Sequence, residues 1–134
     1  MKKNAIKGTI VIEQGVNVWP HELHTATALA NAGYDVRFIP ENKTMGSADA
    51  FIDNTIFEFK APEGSSTKSI QRNIVRAINH QSANIVIDSF RMKRIHDSSI
   101  QSFLIARLRE GKGIKRLLFV TRGGKVVDIN EIVR

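Results

Sequence analysis

Asn84-Ile85-Val86-Ile87-Asp88 is an apolar run set between two stretches of helical periodicity, and no other segment restricts the fold so tightly. A half-exposed strand alternates apolar and polar residues; an unbroken apolar run of this length belongs in the middle of a sheet covered on both faces. Before it, Ile70, Ile74, Val75 and Ile78 recur at helical spacing behind Ser66 or Thr67, either of which can cap a helix of about four turns. After it, Ser98 to Glu110 carries Ile100, Phe103, Leu104 and Leu108 as a second amphipathic helix, and Gly111 stops it. A buried strand between two helices points to an α/β architecture.

The rest of the chain supplies the other layers. Gly8 to Ile12 reads as a first strand or lead-in, followed by a loop through Gly15 and Trp19-Pro20. Glu22, Leu23, Ala26, Ala28, Leu29 and Ala30 define a helix from His21 to Ala32 that Gly33 closes. Asp35 to Ile39 alternates as a strand and Pro40 ends it. Ala48–Asp53 and Thr55–Lys60 are expected to form a hairpin about an Asp53-Asn54 turn. Pro62 to Ser66 is a loop, and Lys115–Thr121 and Lys125–Ile129 pair around Arg122-Gly123-Gly124. The order is αβββαβ with a further helix and C-terminal hairpin appended. With no internal repeat or linker, the 134 residues are expected to make one domain, residues 1–134.

Composition removes several function classes. The chain has no cysteine, which excludes disulfide frameworks and thiolate metal sites. Met1 to Gly8 is too short and polar for a complete signal sequence, and no apolar run approaches the roughly 20 residues that cross a bilayer. A soluble folded unit without a membrane segment is expected. Residues 1–64 hold six Lys or Arg against eight Asp or Glu, a net of −2, and residues 65–134 hold fourteen against five, a net of +9, which together give +7. A basic C-terminal half is the kind of surface that meets a polyanion, although basic residues also simply keep a small protein in solution.

The chemistry-bearing pattern lies in the hairpin. Strand side chains alternate faces, so Glu58 and Lys60 project together while Phe57 and Phe59 pack on the other side. Folding about Asp53-Asn54 brings Asp49, near the start of the first strand, close to the end of the second. Two hard oxygen ligands beside an ammonium suit a divalent metal and a phosphate. Taken alone, a Glu-x-Lys on a strand is more often an exposed cross-strand charge pair, and Asp49 can simply begin a strand.

This order of elements, with Glu22 on the first helix, Asp49 on the second strand and Glu58-Phe59-Lys60 on the third, resembles the PD-(D/E)XK, or restriction-endonuclease-like, nucleases over roughly residues 20–90. Ser47-Ala48 stands where the proline of that motif would be. His21-Glu22, Gly33-Tyr34-Asp35-Val36, Ser47-Ala48-Asp49, Glu58-Phe59-Lys60-Ala61-Pro62 and Asn84-Ile85-Val86-Ile87-Asp88 more narrowly resemble the tRNA-nuclease domains at the C-termini of CdiA contact-dependent growth inhibition toxins. The resemblance implies a mixed central sheet flanked by helices and an antibacterial toxin that cleaves tRNA, or DNA as the alternative. It also implies a dedicated immunity protein as partner. Delivery would be as part of a larger secreted or surface protein, with action in the cytoplasm of the target cell and a host activating factor as a further partner.

Under that resemblance Glu22, Asp49, Glu58 and Lys60 are the catalytic set. Asp49 and Glu58 would hold a divalent metal, Mg²⁺ first with Mn²⁺ or Zn²⁺ as alternatives, and Glu22 would complete or support the shell. Lys60 would orient the attacking water or stabilise charge on the phosphorane. Glu22 is also what the first turn of any helix favours. Ser65, Ser66 and Thr67 at a helix N-terminus, with Lys68, Arg72 and Arg76 at four-residue spacing behind them, form a candidate phosphate track, and Arg91 and Lys93 a second basic cluster. Both are equally compatible with solvated surface. His21 and His24 lack a third ligand for zinc, and Trp19 reads as a core or hinge aromatic. The alternatives are a metal-independent ribonuclease using Lys60, His21, a Ser65–Thr67 hydroxyl and an Arg, and a non-catalytic nucleic-acid-binding module. An immunity protein would be acidic, to complement the basic half.

Overall fold

A computed structural model describes residues 6–40, 50–80 and 82–134. Among these the order is β1 (Ile10–Ile12), α1 (Pro20–Asn31), β2 (Val36–Phe38), β3 (Ala50–Ile52), β4 (Thr55–Lys60), α2 (Thr67–Asn79), β5 (Asn84–Asp88), α3 (Asp97–Arg109), β6 (Arg116–Val120), β7 (Val126–Asp128) and α4 (Ile129–Val133). The described strands form one seven-stranded mixed sheet in which spatial order follows chain order. β1 and β2 are parallel, β2, β3 and β4 antiparallel, β4, β5 and β6 parallel, and β7 returns antiparallel to β6.

Why the sheet is buried on both sides follows from the run that begins at Asn84. On β5, Val86 joins the core under α1, with Ala26, Leu29, Phe38, Phe57, Phe59 and Leu118. Ile85 and Ile87 join the other core, with Ile70, Ile74 and Ala77 of α2, Ile100 and Leu104 of α3, and Phe119. The period-two alternation of a strand thus feeds two separate apolar layers, one per face. All three of these β5 residues are fully buried, and each contributes roughly 1.5–3 kcal/mol relative to exposure.

The hairpin forms as expected. Ile52 pairs with Thr55 across a two-residue loop, and both loop residues take positive φ, 46° at Asp53 and 70° at Asn54, as a type I′ turn demands and Asp and Asn tolerate. Asp53 Oδ1 also accepts the Asp35 N–H at 2.9 Å, which ties the turn to the start of β2. The part of the expected strand before Ala50 lies outside the described residues. At the same end of β2, Gly8 donates to the Ala30 carbonyl at 2.7 Å; a Cβ there would lie 1.9 Å from the Tyr34 carbonyl oxygen, so only glycine fits.

Three expectations need correction. Val75 is 42% exposed rather than part of the buried stripe of α2, because Ile70, Ile74 and Ala77 already fill the arc facing the sheet and position 75 falls on its flank. Ser69 is buried in that arc with its hydroxyl on the Glu63 carbonyl at 2.5 Å. The final strand stops at Asp128, whose carboxylate accepts the Asn130 N–H at 3.1 Å and caps the unanticipated α4. Of the two roles expected for Trp19, core or hinge, the core is excluded, since it is 66% exposed at the N-cap of α1.

Tyr34, the chain's single tyrosine, is buried in the α1 core. Burial raises its phenol pKa; the nearby Asp128 carboxylate adds to the rise and Arg116 opposes it. A raised folded pKa means that the native state keeps the proton longer than the unfolded chain does. The associated stability is complete below about pH 10 and is lost as pH climbs through the raised value. Absorbance titration of the native chain is expected to give a tyrosinate midpoint above that of the denatured chain. A native midpoint equal to the denatured one would show that Tyr34 is not held as described.

Candidate active site

β4 delivers two charged side chains to the α2 face of the sheet because the alternation that buries Phe57 and Phe59 under α1 leaves Glu58 and Lys60 on the other side. Register places Glu58 opposite Ile85 and Lys60 opposite Ile87, both in the α2 core. Glu58 is only 1% exposed. Lys60 Nζ lies 2.7 Å from Glu58 Oε2, and His80 Nδ1, at the C-cap of α2, lies 3.9 Å from the same oxygen. Neither Glu58 oxygen has a hydrogen-bond partner of good geometry among the described residues, so the contact with Lys60 is an ion pair without hydrogen-bond direction.

A buried carboxylate in that condition is costly, since among the described residues the desolvation of both oxygens is offset only by the Lys60 ammonium and a more distant His80 nitrogen. What it can do chemically is accept: an orphaned carboxylate oxygen beside a lysine fits a divalent cation and the phosphate that the cation neutralises. Asp49 lies outside the described residues. Its chain neighbour Ala50 pairs with Phe57, the residue before Glu58.

Glu22 is not linked to this pair by any contact among the described residues. Its helix packs on the opposite face, and its Oε1 accepts the Trp19 N–H at 2.9 Å, satisfying a donor at the start of α1. Ser66 caps α2 through its backbone geometry without a side-chain bond. Ser65 and Ser66 are exposed, Thr67 is half-buried, and Lys68, Arg72 and Arg76 are exposed along α2. None of these three cations has an ion-pair partner among the described residues, which leaves the stripe available to an anion.

The second basic cluster is divided. Arg91 reaches across to the Ala61 carbonyl with Nε at 3.1 Å and Nη2 at 2.6 Å, so its guanidinium holds the loop after β4 against the loop after β5. The Lys93 N–H donates to the Gly64 carbonyl at 3.0 Å beside a Gly64–Met92 bridge, while its side chain stays exposed. Sequence reasoning missed His80, for which spacing carries no signal. It also assigned nothing to Asp88, although a carboxylate ending a buried parallel strand marks the end of the sheet where α/β proteins place ligands.

This mixed α/β fold has known relatives. Residues 46–126 match the family model of the contact-dependent growth inhibition CdiA C-terminal domain, more than half of the chain, and the chain belongs to that family. Among solved structures it is similar to the CdiA-CT/CdiI toxin and immunity complex from Burkholderia pseudomallei, with a TM-score of 0.72 and 20% identity over 90% of this chain and 97% of that one. At that identity the likeness is one of fold. No curated protein matches the chain.

Removing the Glu22 carboxylate removes the acceptor for Trp19. Glu22→Ala is expected to lower unfolding stability by about 0.5–2 kcal/mol, whereas Glu22→Gln keeps an acceptor and is expected to stay near the parent. Urea titration of the two variants checks this, and equal losses would remove the capping role.

Proposed function

We propose that the chain is a metal-dependent endonuclease of PD-(D/E)XK type, that its substrate is tRNA, and that it acts as an antibacterial toxin of contact-dependent growth inhibition neutralised by an immunity protein. The observation that carries the catalytic part is Glu58: a carboxylate 1% exposed, beside Lys60, with no hydrogen bond to satisfy it among the described residues. Family membership and the fold shared with a toxin and immunity complex support the biological part.

In this reading Asp49 and Glu58 would hold a divalent ion such as Mg²⁺, and Glu22 joins them on the resemblance alone. When bound, the ion supplies charge relief at the phosphate and acidity to a bound water. Lys60 holds a compact positive charge at the same place, where it stabilises the anionic oxygens that develop as the phosphodiester is attacked. Burial sharpens that effect, since the charges act through protein rather than bulk water. Lys68, Arg72 and Arg76 track the backbone on either side of the cleaved bond without reading sequence. The basic half of the chain gives an acidic immunity protein a surface to capture quickly.

Incubation of the purified chain with total bacterial tRNA and, separately, plasmid DNA, in Mg²⁺ or EDTA, tests the reaction. Cleavage of tRNA is expected in Mg²⁺ only, with a loss on the order of 10²–10³-fold in Asp49→Ala, Glu58→Gln and Lys60→Ala. Cleavage that survives EDTA and Asp49→Ala would replace this mechanism with attack by the ribose 2′-OH, and cleavage confined to plasmid would replace the substrate. The phosphate track is tested on the Glu58→Gln chain. Changing Lys68, Arg72 and Arg76 together to Ala is expected to flatten the dependence of log affinity for tRNA on log salt by about one unit per cation removed. An unchanged slope would place the backbone elsewhere.

A further inference from the structure

A second buried carboxylate sits one strand away from the first and serves a different arrangement. Asp88 ends β5 with no exposed surface, and it points to the α1 face. Its Oδ2 accepts the Thr25 hydroxyl at 2.7 Å and lies 3.0 Å from His24 Nδ1. Its Oδ1 accepts the Phe90 N–H at 3.1 Å. The His24 imidazole stacks on the Phe90 ring with centroids 3.7 Å apart and planes at 18°. Its side chain remains 39% exposed.

Each of these contacts restricts His24 further. A carboxylate only accepts, so the neutral imidazole bonded to Asp88 carries its proton on Nδ1, and Nε2 is left as an acceptor. Nε2 has no partner among the described residues. Thr25 and Phe90 already satisfy both oxygens of Asp88, so a pin between α1 and β5 needs no histidine at all. What the neutral histidine adds is a fixed acceptor, held beside an aromatic ring at the surface. Its chain neighbour Leu23 is 42% exposed, and Trp19 at the N-cap of the same helix is 66% exposed.

The place matters as much as the chemistry. Lys60 pairs with Ile87, the residue before Asp88, and adjacent strands are about 4.8 Å apart. The Glu58–Lys60 pair and the Asp88–His24 pair therefore flank the same stretch of β4 and β5 from opposite faces, and the Arg91 bond to the Ala61 carbonyl ties together the loops that follow those strands. A strand of nucleic acid drawn over that end of the sheet would meet both. Beside a stacking surface, an acceptor that does not depend on base identity finds one donor repeated at every nucleotide of RNA and at none of DNA, the ribose 2′-OH.

We infer that His24 is a specificity-determining contact of this chain, its Nε2 accepting a hydrogen bond from a ribose 2′-OH next to the cleaved phosphate, with Asp88 as the residue that positions it. This rests on the reading of the chain as a nuclease acting on RNA. It does not depend on the identity of the metal.

The test compares binding of one single-stranded sequence made as RNA and as DNA, measured in EDTA with the Glu58→Gln chain as parent and with His24→Phe and Asp88→Asn added singly. The parent is expected to prefer RNA. His24→Phe keeps an aromatic ring for stacking on Phe90 and removes the acceptor, and it is expected to cut the RNA-to-DNA affinity ratio by roughly three- to tenfold, through weaker RNA binding alone. Asp88→Asn, which no longer dictates which nitrogen carries the proton, is expected to lower the ratio in the same direction. Circular dichroism of each variant separates misfolding from lost contact, since misfolding lowers both affinities and leaves the ratio alone. A parent without RNA preference, or a ratio unchanged in His24→Phe, would overturn the contact. If the ratio behaves as expected while the wild-type chain cleaves no RNA, the nuclease reading fails and the contact stands.

Discussion

The parallel ladder between β4 and β5 is the constraint on which the rest of the molecule depends. It sets Glu58 against Ile85, Phe59 against Val86 and Lys60 against Ile87, and through the period of two it decides which core each residue enters. A slip of one residue would drive Phe57 and Phe59 into the α2 layer and turn Glu58 and Lys60 into the apolar core under α1. The aromatic pair thus fixes the register, and the charged pair inherits its position. Phe59 meets Phe38 edge-on with centroids 5.8 Å apart, which locks β4 to β2 across the hairpin.

Much of this was legible because the relevant signals are local. The period-two alternation around Phe57 and Phe59, the Asp53-Asn54 turn and the unbroken Asn84–Asp88 run each carry their geometry in a few adjacent residues. Val75 was misplaced because an apolar residue at the flank of a stripe has the same spacing as one within it, and only tertiary packing against Ile85 and Ile87 decides. The α4 turn escaped because Asp128 is at once the last residue of a strand and a cap, and the cap won.

The candidate site was legible in the same measure. Glu58 and Lys60 share a strand, so their convergence at 2.7 Å follows from alternation alone. Glu22 had two roles open to it, and the hydrogen bond to Trp19 is the local one. His24 and Asp88 stand 64 residues apart in the chain, and nothing in the spacing of either predicts that they meet. Long-range side-chain contacts of that kind come only from the way α1 lies on β5.

Two buried carboxylates in neighbouring strands invite comparison, because the same burial gives them opposite character. Asp88 takes the Thr25 hydroxyl, the Phe90 N–H and the His24 imidazole. Its polar capacity is used, and changing it would disturb the groups it holds. Glu58 takes an ammonium, without directed hydrogen bonds among the described residues. Folding alone would favour a polar network that is complete, or an apolar residue of the same volume beside Ile85 and Ile87. A carboxylate left unfinished in such a place is destabilising by itself, and its retention is accounted for if something binds there that the folded chain lacks. Asp88 therefore acts by what it holds in place, and Glu58 by what it leaves free. Under the proposed function, that difference, rather than the count of acidic residues, would separate a structural carboxylate from a ligand-binding one in this fold.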